Sequence, residues 1–275
     1  MLDFELKENY VFSDFIRLIA FLRSEKGCPW DREQTHESIK MNLLEEAYEL
    51  YEALESADED HLIEELGDVL MQVLFHSRIA EEAGRFNIDT VSDLACKKLV
   101  NRHPHVFSNV NVSGSDEVLQ NWDRIKRLER GHQNEHSAMS GISPALPALM
   151  RAQKIQSRAG KIGFDWPLAQ DAFLKLQEEV LELKDGLDND DRENIAEELG
   201  DIIFSAVNVA RFYDLDTEDI VLKSCEKFIR RFEYMEEKAA SKGLRLQELS
   251  LMEMEEIYQQ GRQDLEGKEP QFHIF

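Results

Sequence analysis

Cysteine is scarce: Cys28, Cys96 and Cys225 are odd in number, far apart, and form no CxxC pair. That excludes a disulfide framework and a thiolate zinc site. Long apolar runs are missing, since nothing approaches the roughly 18 residues of a membrane span. The start, MLDFELKENYVF, has no basic stretch followed by an apolar one, so it does not read as a secretory leader. The expectation is a reducing, cytoplasmic setting away from membranes. Cations are outnumbered: 32 Lys and Arg face 56 Asp and Glu, a net charge of −24 over 275 residues. Such a chain lacks the basic surface that displaces counter-ions from a nucleic acid polymer. Small anions remain open to it wherever a metal or a local basic cluster supplies positive charge. Proline (6) and glycine (13) are few and strand-like alternation is rare, which turns the reading to helices.

What is present is helical period almost throughout. Helices are expected near 13–26 (capped by Ser13, ended by Gly27 and Pro29), 33–56, 59–83 (stopped by Gly84), 90–102 (before Pro104) and 115–130. The polar stretch GHQNEHSAMSGISPALP, 131–147, has two Gly, two Pro and no period, and reads as a linker.

Beyond it the pattern restarts. Glu-Glu-Ala-Tyr-Glu at 45–49 matches Glu-Glu-Val-Leu-Glu at 178–182, and Glu-Glu-Leu-Gly-Asp at 64–68 recurs at 197–201, both offset by 133. Lys98–Arg102 matches Lys227–Arg231 at 129, and Gly27–Trp30 matches Gly163–Trp166 at 136. Four landmarks in one order mean a duplicated helical domain: residues 1–130, a linker at 131–147, and residues 148–275. The expected fold is an all-α, duplicated helical bundle.

The carboxylates are patterned. On a helical wheel with Glu46 at 0°, Glu49 lies near 300° and Leu43, Leu50, Leu54 and Ala47 between about 40° and 100°. Glu65 and Asp68 stand in the same relation to Leu62, Leu66, Val69 and Val73. Repeat two copies this with Glu179 and Glu182, then Glu198 and Asp201, beside Val180, Leu183, Leu187 and Leu199. Two helices joined by a short loop pack antiparallel with their stripes together, so four carboxylates converge along one seam in each repeat. Like charges at a core edge repel, and a bound cation relieves them. An all-oxygen set suits Mg²⁺ first and Mn²⁺ second. A di-iron bundle needs Glu-x-x-His; here the fourth positions are Glu49, Asp68, Glu182 and Asp201. Gly67 and Gly200, inside these helices, would serve either close helix crossing or room for water or substrate.

The basic complement repeats as well. Lys98 and Arg102 share a helix face, as do Lys227 and Arg231, and a Lys beside an Arg fork suits a polyphosphate. Lys98 and Arg102 end a helix and so also complement its dipole, whereas Lys227 and Arg231 lie inside one. His103-Pro-His105 lacks further ligands at zinc spacing and reads as a loop or cap. Trp30 and Trp166 read as core residues, with stacking on a base as the other role. There is no GxxxxGK[ST] and no GxSxG, so neither a P-loop machine nor an acyl hydrolase is expected. Hard cations beside Lys/Arg pairs point to phosphate-anhydride chemistry by an activated water, with Glu178 or Glu45 placed to orient or deprotonate it. The competing classes are a non-catalytic helical module whose seams bind metal or a protein partner, and a phosphatase that removes only the γ phosphate.

These residues resemble the MazG family of nucleoside triphosphate pyrophosphohydrolases. The carriers are Glu45-Glu46-x-x-Glu49 with Glu65-x-x-Asp68, and Glu178-Glu179-x-x-Glu182 with Glu198-x-x-Asp201. Gly27-Cys-Pro-Trp-Asp31, Arg102-His-Pro-His-Val-Phe107 and Gly163-Phe-Asp-Trp166 add to the likeness. The resemblance implies Mg²⁺-dependent hydrolysis between the α and β phosphates, giving NMP and pyrophosphate, with broad base tolerance. It also implies an intertwined homodimer whose sites draw on both subunits. Glu179, Glu182, Glu198 and Asp201 would hold Mg²⁺, while Lys227 and Arg231 would contact the triphosphate. Family members often carry a Trp and a Lys near the C-terminus, where this chain has Tyr258 and Arg262. The C-terminal repeat is expected to dominate, although Glu46, Glu49, Glu65 and Asp68 keep the N-terminal ligand set.

Overall fold

The structure, a computed structural model, describes residues 4–56, 58–129 and 138–267. Residues 131–137 of the expected linker lie outside the described residues. The chain divides into two compact units, Met1–His132 and Gln133–Phe275, and all regular structure among the described residues is helical. The first unit holds α1 (Phe12–Leu22), α2 (Pro29–Glu33), α3 (Lys40–Glu55), α4 (Glu59–Glu82), α5 (Ile88–Arg102), α6 (Pro104–Phe107) and α7 (Ser115–Glu129). The second holds α8 (Ala148–Lys161), α9 (Ala169–Asp188), α10 (Arg192–Phe212), α11 (Thr217–Ser241), a 3-10 turn at Leu246–Glu248, and α12 (Leu251–Glu266).

Each unit is built on a helical hairpin, α3–α4 or α9–α10, with a helix before it and helices after it. Aspartates start the second arms: Asp58 accepts from the Asp60 and His61 amides, and Asp191 from those of Glu193 and Asn194. Asn87 caps α5 and Asp216 caps α11 in the same manner. In the turn between α9 and α10, Asp190 takes the left-handed conformation at φ 55°, which Asp tolerates better than most residues.

Two expected boundaries move. The first helix starts at Phe12 rather than being capped by Ser13: Asp14 accepts the Val11 amide at 3.1 Å and so takes over the capping. Asp14 is only 2 % exposed, and the Lys7 ammonium at 2.7 Å and the Arg17 guanidinium balance its charge. These contacts, the Lys7 hydrogen bond first, hold its carboxyl well below the usual range. The expected helix 33–56 is split. Thr35 and Ser38 exchange backbone-to-hydroxyl hydrogen bonds at 34–39, offering the chain a turn in place of helix.

Ile19, Ile39, Leu74 and Phe75 form the core of the first unit. Arg23 clamps its periphery, pairing with Glu82 at 2.8 Å and donating to the carbonyls of Asp31 and Gln34. Beside it runs a chain of imidazoles. The Arg85 guanidinium donates to His36 Nε2 at 2.7 Å, so His36 carries its proton on Nδ1 and donates to His76 Nδ1 at 2.8 Å. The rings stack at 5.1 Å, and burial with the neighbouring His36 pushes the His76 pKa down. In the second unit Val207 occupies the place of Leu74, with Ala172, Ala210, Met235 and Ala239 also buried. Gln156 donates to the Phe204 carbonyl at 2.7 Å, and Gln153 bridges the Leu215 carbonyl and the Thr217 hydroxyl, tying α8 to α10 and α11.

The hairpin stripes are wider than one partner helix covers. Leu54 and Leu66 in the first unit, and Val180, Leu187 and Leu199 in the second, were expected in the seams' apolar lining and stand exposed within the chain.

Candidate active site

In each hairpin, three of the four expected carboxylates meet. Glu46, Glu49 and Glu65 each offer an oxygen within 4.8 Å of the others, and so do Glu179, Glu182 and Glu198. The geometry follows from the sequence: the i, i+3 glutamates of one arm share a face, and the antiparallel partner brings a third across. Glu65, Glu179 and Glu198 are buried. Asp68 and Asp201 stand outside these close sets, yet Asp68 is near enough for its charge to raise the Glu46 pKa.

Crowding marks both seams. Burial is the main cause that raises the Glu46 pKa, reinforced by Asp68 and Glu49 and opposed by a hydrogen bond from Gln72. Glu182 is raised first by sharing a hydrogen bond with Glu179, then by desolvation and the neighbouring carboxylates. Glu65 Oε2 is buried with no hydrogen-bond partner among the described residues. A buried acceptor without a donor costs roughly 1–3 kcal/mol, more when charged, and a hard cation satisfies it. The donor set therefore fits a divalent metal.

A ring of supporting groups surrounds the carboxylates. Gln72 donates to Glu46 at 3.3 Å and His61 Nε2 lies 3.4 Å from Glu65. In the second unit Asn194 donates to Glu198 at 3.0 Å, and Lys175 Nζ lies 2.7 Å from Glu178 and 3.0 Å from Glu179. Sequence reasoning missed all of these except Glu178, because their spacing carries no motif.

The basic pairs are placed unequally. Arg231 is braced: its guanidinium bonds Glu266 at 2.6 Å and the Tyr258 hydroxyl at 3.2 Å, and sits 5.3 Å from the Tyr258 ring. Arg102 has the same brace, with Glu129 at 2.6 Å and the Trp122 ring at 5.4 Å. Lys227 is half-buried inside α11, and Lys98 is exposed on α5. Trp122 and Lys126 match Tyr258 and Arg262 at one offset, 136. The Trp/Lys pair expected near the C-terminus thus stands in the first unit, and aligning the last helix of each repeat reveals it.

The remaining expectations divide. Trp30 is 63 % and Trp166 43 % exposed, so neither is core. Each caps the surface after its glycine turn. Trp166, Pro167, Asp171, Leu174, Lys175 and Glu178 line a groove of about 350 Å³ beside the second seam. Glu178 faces that groove from Lys175, and Glu45 is exposed. A Cβ on Gly67 or Gly200 would meet nothing within 4 Å, so close crossing within the unit does not account for them. His103 bonds the Leu99 carbonyl at 2.6 Å and packs edge-on to Trp122, the cap role expected of it.

The family profile described as the MazG nucleotide pyrophosphohydrolase domain matches residues 34–107 and 170–235, one segment per hairpin. The chain belongs to the MazG nucleotide pyrophosphohydrolase family. It is 41 % identical over 252 residues to the nucleoside triphosphate pyrophosphohydrolase/pyrophosphatase MazG of Thermotoga maritima, covering 92 % of this chain and 96 % of that one. It is 42 % identical to the nucleoside triphosphate pyrophosphohydrolase of Escherichia coli over 86 % of this chain and 90 % of that protein. A Bacillus subtilis protein named YabN is 44 % identical across 92 % of this chain, which spans 52 % of YabN. Both MazG segments include the paired carboxylates, so the duplication extends to the candidate chemistry.

Proposed function

We infer that the chain is a nucleoside triphosphate pyrophosphohydrolase of the MazG type, a hydrolase acting on phosphorus anhydrides. The observation that carries this is the convergence of three carboxylates in each family-matched hairpin. The products would be NMP and pyrophosphate, with tolerance for the base, in a role that clears nucleotides from the pool.

Glu179, Glu182, Glu198 and Asp201 would hold the metal in the second unit, and Glu46, Glu49, Glu65 and Asp68 in the first. Mg²⁺ is the proposed ion, with Mn²⁺ as a substitute, on the hardness of the oxygen donors. Such an ion supplies charge neutralisation at phosphate oxygens and acidifies a bound water. Lys227 and Arg231 face the polyphosphate in this reading; the brace from Glu266 and Tyr258 holds the Arg231 fork in one orientation before substrate arrives. Arg262 and Tyr258 on α12, and Trp166 in the groove, line the nucleotide, as Lys98 and Arg102 would in the first unit. Glu178, beside the ligands but outside the close set, serves as the base that orients the attacking water. Glu178→Gln with metal binding intact should abolish most turnover.

We also propose that 131–147 links the two repeats, that the second repeat is the main catalyst, and that the protein is a cytoplasmic homodimer. The uncovered Leu54, Leu66, Leu187 and Leu199 support the dimer, since monomers rarely leave such stripes open. Among the described residues no helix is long and apolar enough to cross a membrane, and the three cysteines are free thiols.

Incubation with mixed NTPs and Mg²⁺ tests the reading. NMP and pyrophosphate are expected. Orthophosphate with NDP would point to a γ-phosphatase. No product, together with metal-dependent melting, would point to a binding module.

A further inference from the structure

Gln72 stands beside the first seam with half of its chemistry unused. It follows Glu65 and Asp68 on α4 at the spacing i, i+3, i+7, which is one face of the helix. The residue is only 6 % exposed, and its carboxamide enters the seam, since Nε2 donates to Glu46 at 3.3 Å. The other end of that carboxamide is an acceptor. Gln72 Oε1 is buried with no hydrogen-bond partner among the described residues, and Glu65 Oε2 is in the same position. Both side chains meet Glu46, so two buried oxygens border one seam with no proton to accept. Each is costly to leave unmet, and one cation coordinated by both removes the cost at both.

The second seam is built differently at this point. The position offset by 133 is Ser205, and a hydroxyl on Cβ does not reach as far as a carboxamide on Cγ. There Glu179 meets the Lys175 ammonium at 3.0 Å, where the first unit has Asn42 at the same offset. The first seam therefore offers a cation one more neutral oxygen and one ammonium fewer. Ion size responds to such a change. Mg²⁺ demands octahedral geometry, sheds water reluctantly and takes few protein ligands. Ca²⁺ gathers about six to eight oxygens in flexible geometry, glutamine carbonyls among them.

We propose that the Gln72 carbonyl is a ligand of the first seam's cation, and that it turns this seam toward a larger divalent ion, so that the ratio of Ca²⁺ to Mg²⁺ affinity is higher here than at the second seam. The proposal rests on the reading of the seams as metal sites, and not on the pyrophosphohydrolase activity. A cation held by more protein oxygens keeps fewer positions for a substrate's phosphates. That accords with a second repeat that is the main catalyst, and gives the first seam the work of tying α3 to α4.

Each seam can be read alone in the full chain: Glu179→Gln with Glu182→Gln silences the second, and Glu46→Gln with Glu49→Gln the first. Calorimetric titrations with Ca²⁺ and with Mg²⁺, without nucleotide, should give the first seam a Ca²⁺-to-Mg²⁺ affinity ratio about tenfold above that of the second. In the first-seam chain, Gln72→Met keeps most of the volume. It should weaken Ca²⁺ binding about tenfold and Mg²⁺ binding by no more than about twofold. Gln72→Glu keeps an oxygen in place and should hold the preference for Ca²⁺. Tb³⁺, a luminescent stand-in for Ca²⁺, reports its bound water through lifetimes in light and heavy water, and Gln72→Met should add about one water. An unchanged affinity ratio or water count in Gln72→Met overturns the proposal and leaves the metal reading standing. A Gln72→Glu chain that matches Gln72→Met also overturns it, because the amide donor on Glu46 would then be what mattered. If neither ion binds the first seam of the parent, the proposal falls together with the metal reading of that seam.

Discussion

The first seam meets its carboxylates with an amide and an imidazole, Gln72 on Glu46 and His61 beside Glu65, and leaves Glu65 Oε2 with no donor among the described residues. The second meets them with a cation and an amide, Lys175 on Glu179 and Asn194 on Glu198. The carboxylates are the same; what balances them is not. The braces diverge in the same way. Trp122 faces Arg102 and Tyr258 faces Arg231, while the carboxylates Glu129 and Glu266 persist. A duplicated scaffold thus keeps the groups that hold charge in place and varies those that set its strength.

The largest test of this difference is turnover. Glu182→Ala should lower pyrophosphate release by about a hundredfold, and Glu49→Ala by less than about threefold. Equal losses would erase the proposed ranking of the units. Next come the braces. Arg231→Met and Arg102→Met should each destabilise their own unit by about 2 kcal/mol, because each strands a partly buried glutamate. Only Arg231→Met should also raise KM, by about tenfold. Denaturant melts alongside steady-state kinetics separate the two effects.

A smaller effect is set by pH. The lowered His76 pKa means that the folded first unit resists protonation. Its contribution to stability is present above the unfolded histidine value of about 6.5 and is lost as pH falls below it. Residues 138–267 contain no histidine. In calorimetry between about pH 7.5 and 5.5, the first unit's transition should therefore fall by a few degrees while the second holds. His76→Gln should flatten that slope. The smallest effect is expected from Tyr258→Trp with Arg262→Lys, which gives α12 the α7 pair. KM should move by no more than about twofold, since each replacement keeps its ring or its charge.

The helical class, the duplication and both acidic seams were legible because they are periodic. Glu46, Glu49 and Glu65, and likewise Glu179, Glu182 and Glu198, are fixed by spacing plus one hairpin. What spacing does not encode stayed hidden. The break at 34–39 depends on a hydroxyl exchange between Thr35 and Ser38, and the buried Asp14 on a lysine seven residues earlier. The imidazole chain joins His36 to a residue 40 positions away. The exposed Trp30 and Trp166 show the converse failure: hydrophobicity alone was read as burial. The wheels likewise assigned Leu54 and Leu199 to the lining without limiting how much surface one partner helix covers.

Those uncovered leucines bear on how strongly the protein should depend on its own concentration. Burying them in a second copy would make association part of folding. Each tenfold dilution would then withdraw about 1.4 kcal/mol from the dimer. Specific activity should fall on dilution below the dissociation constant, and a melting temperature would describe the chain only alongside the concentration at which it was recorded.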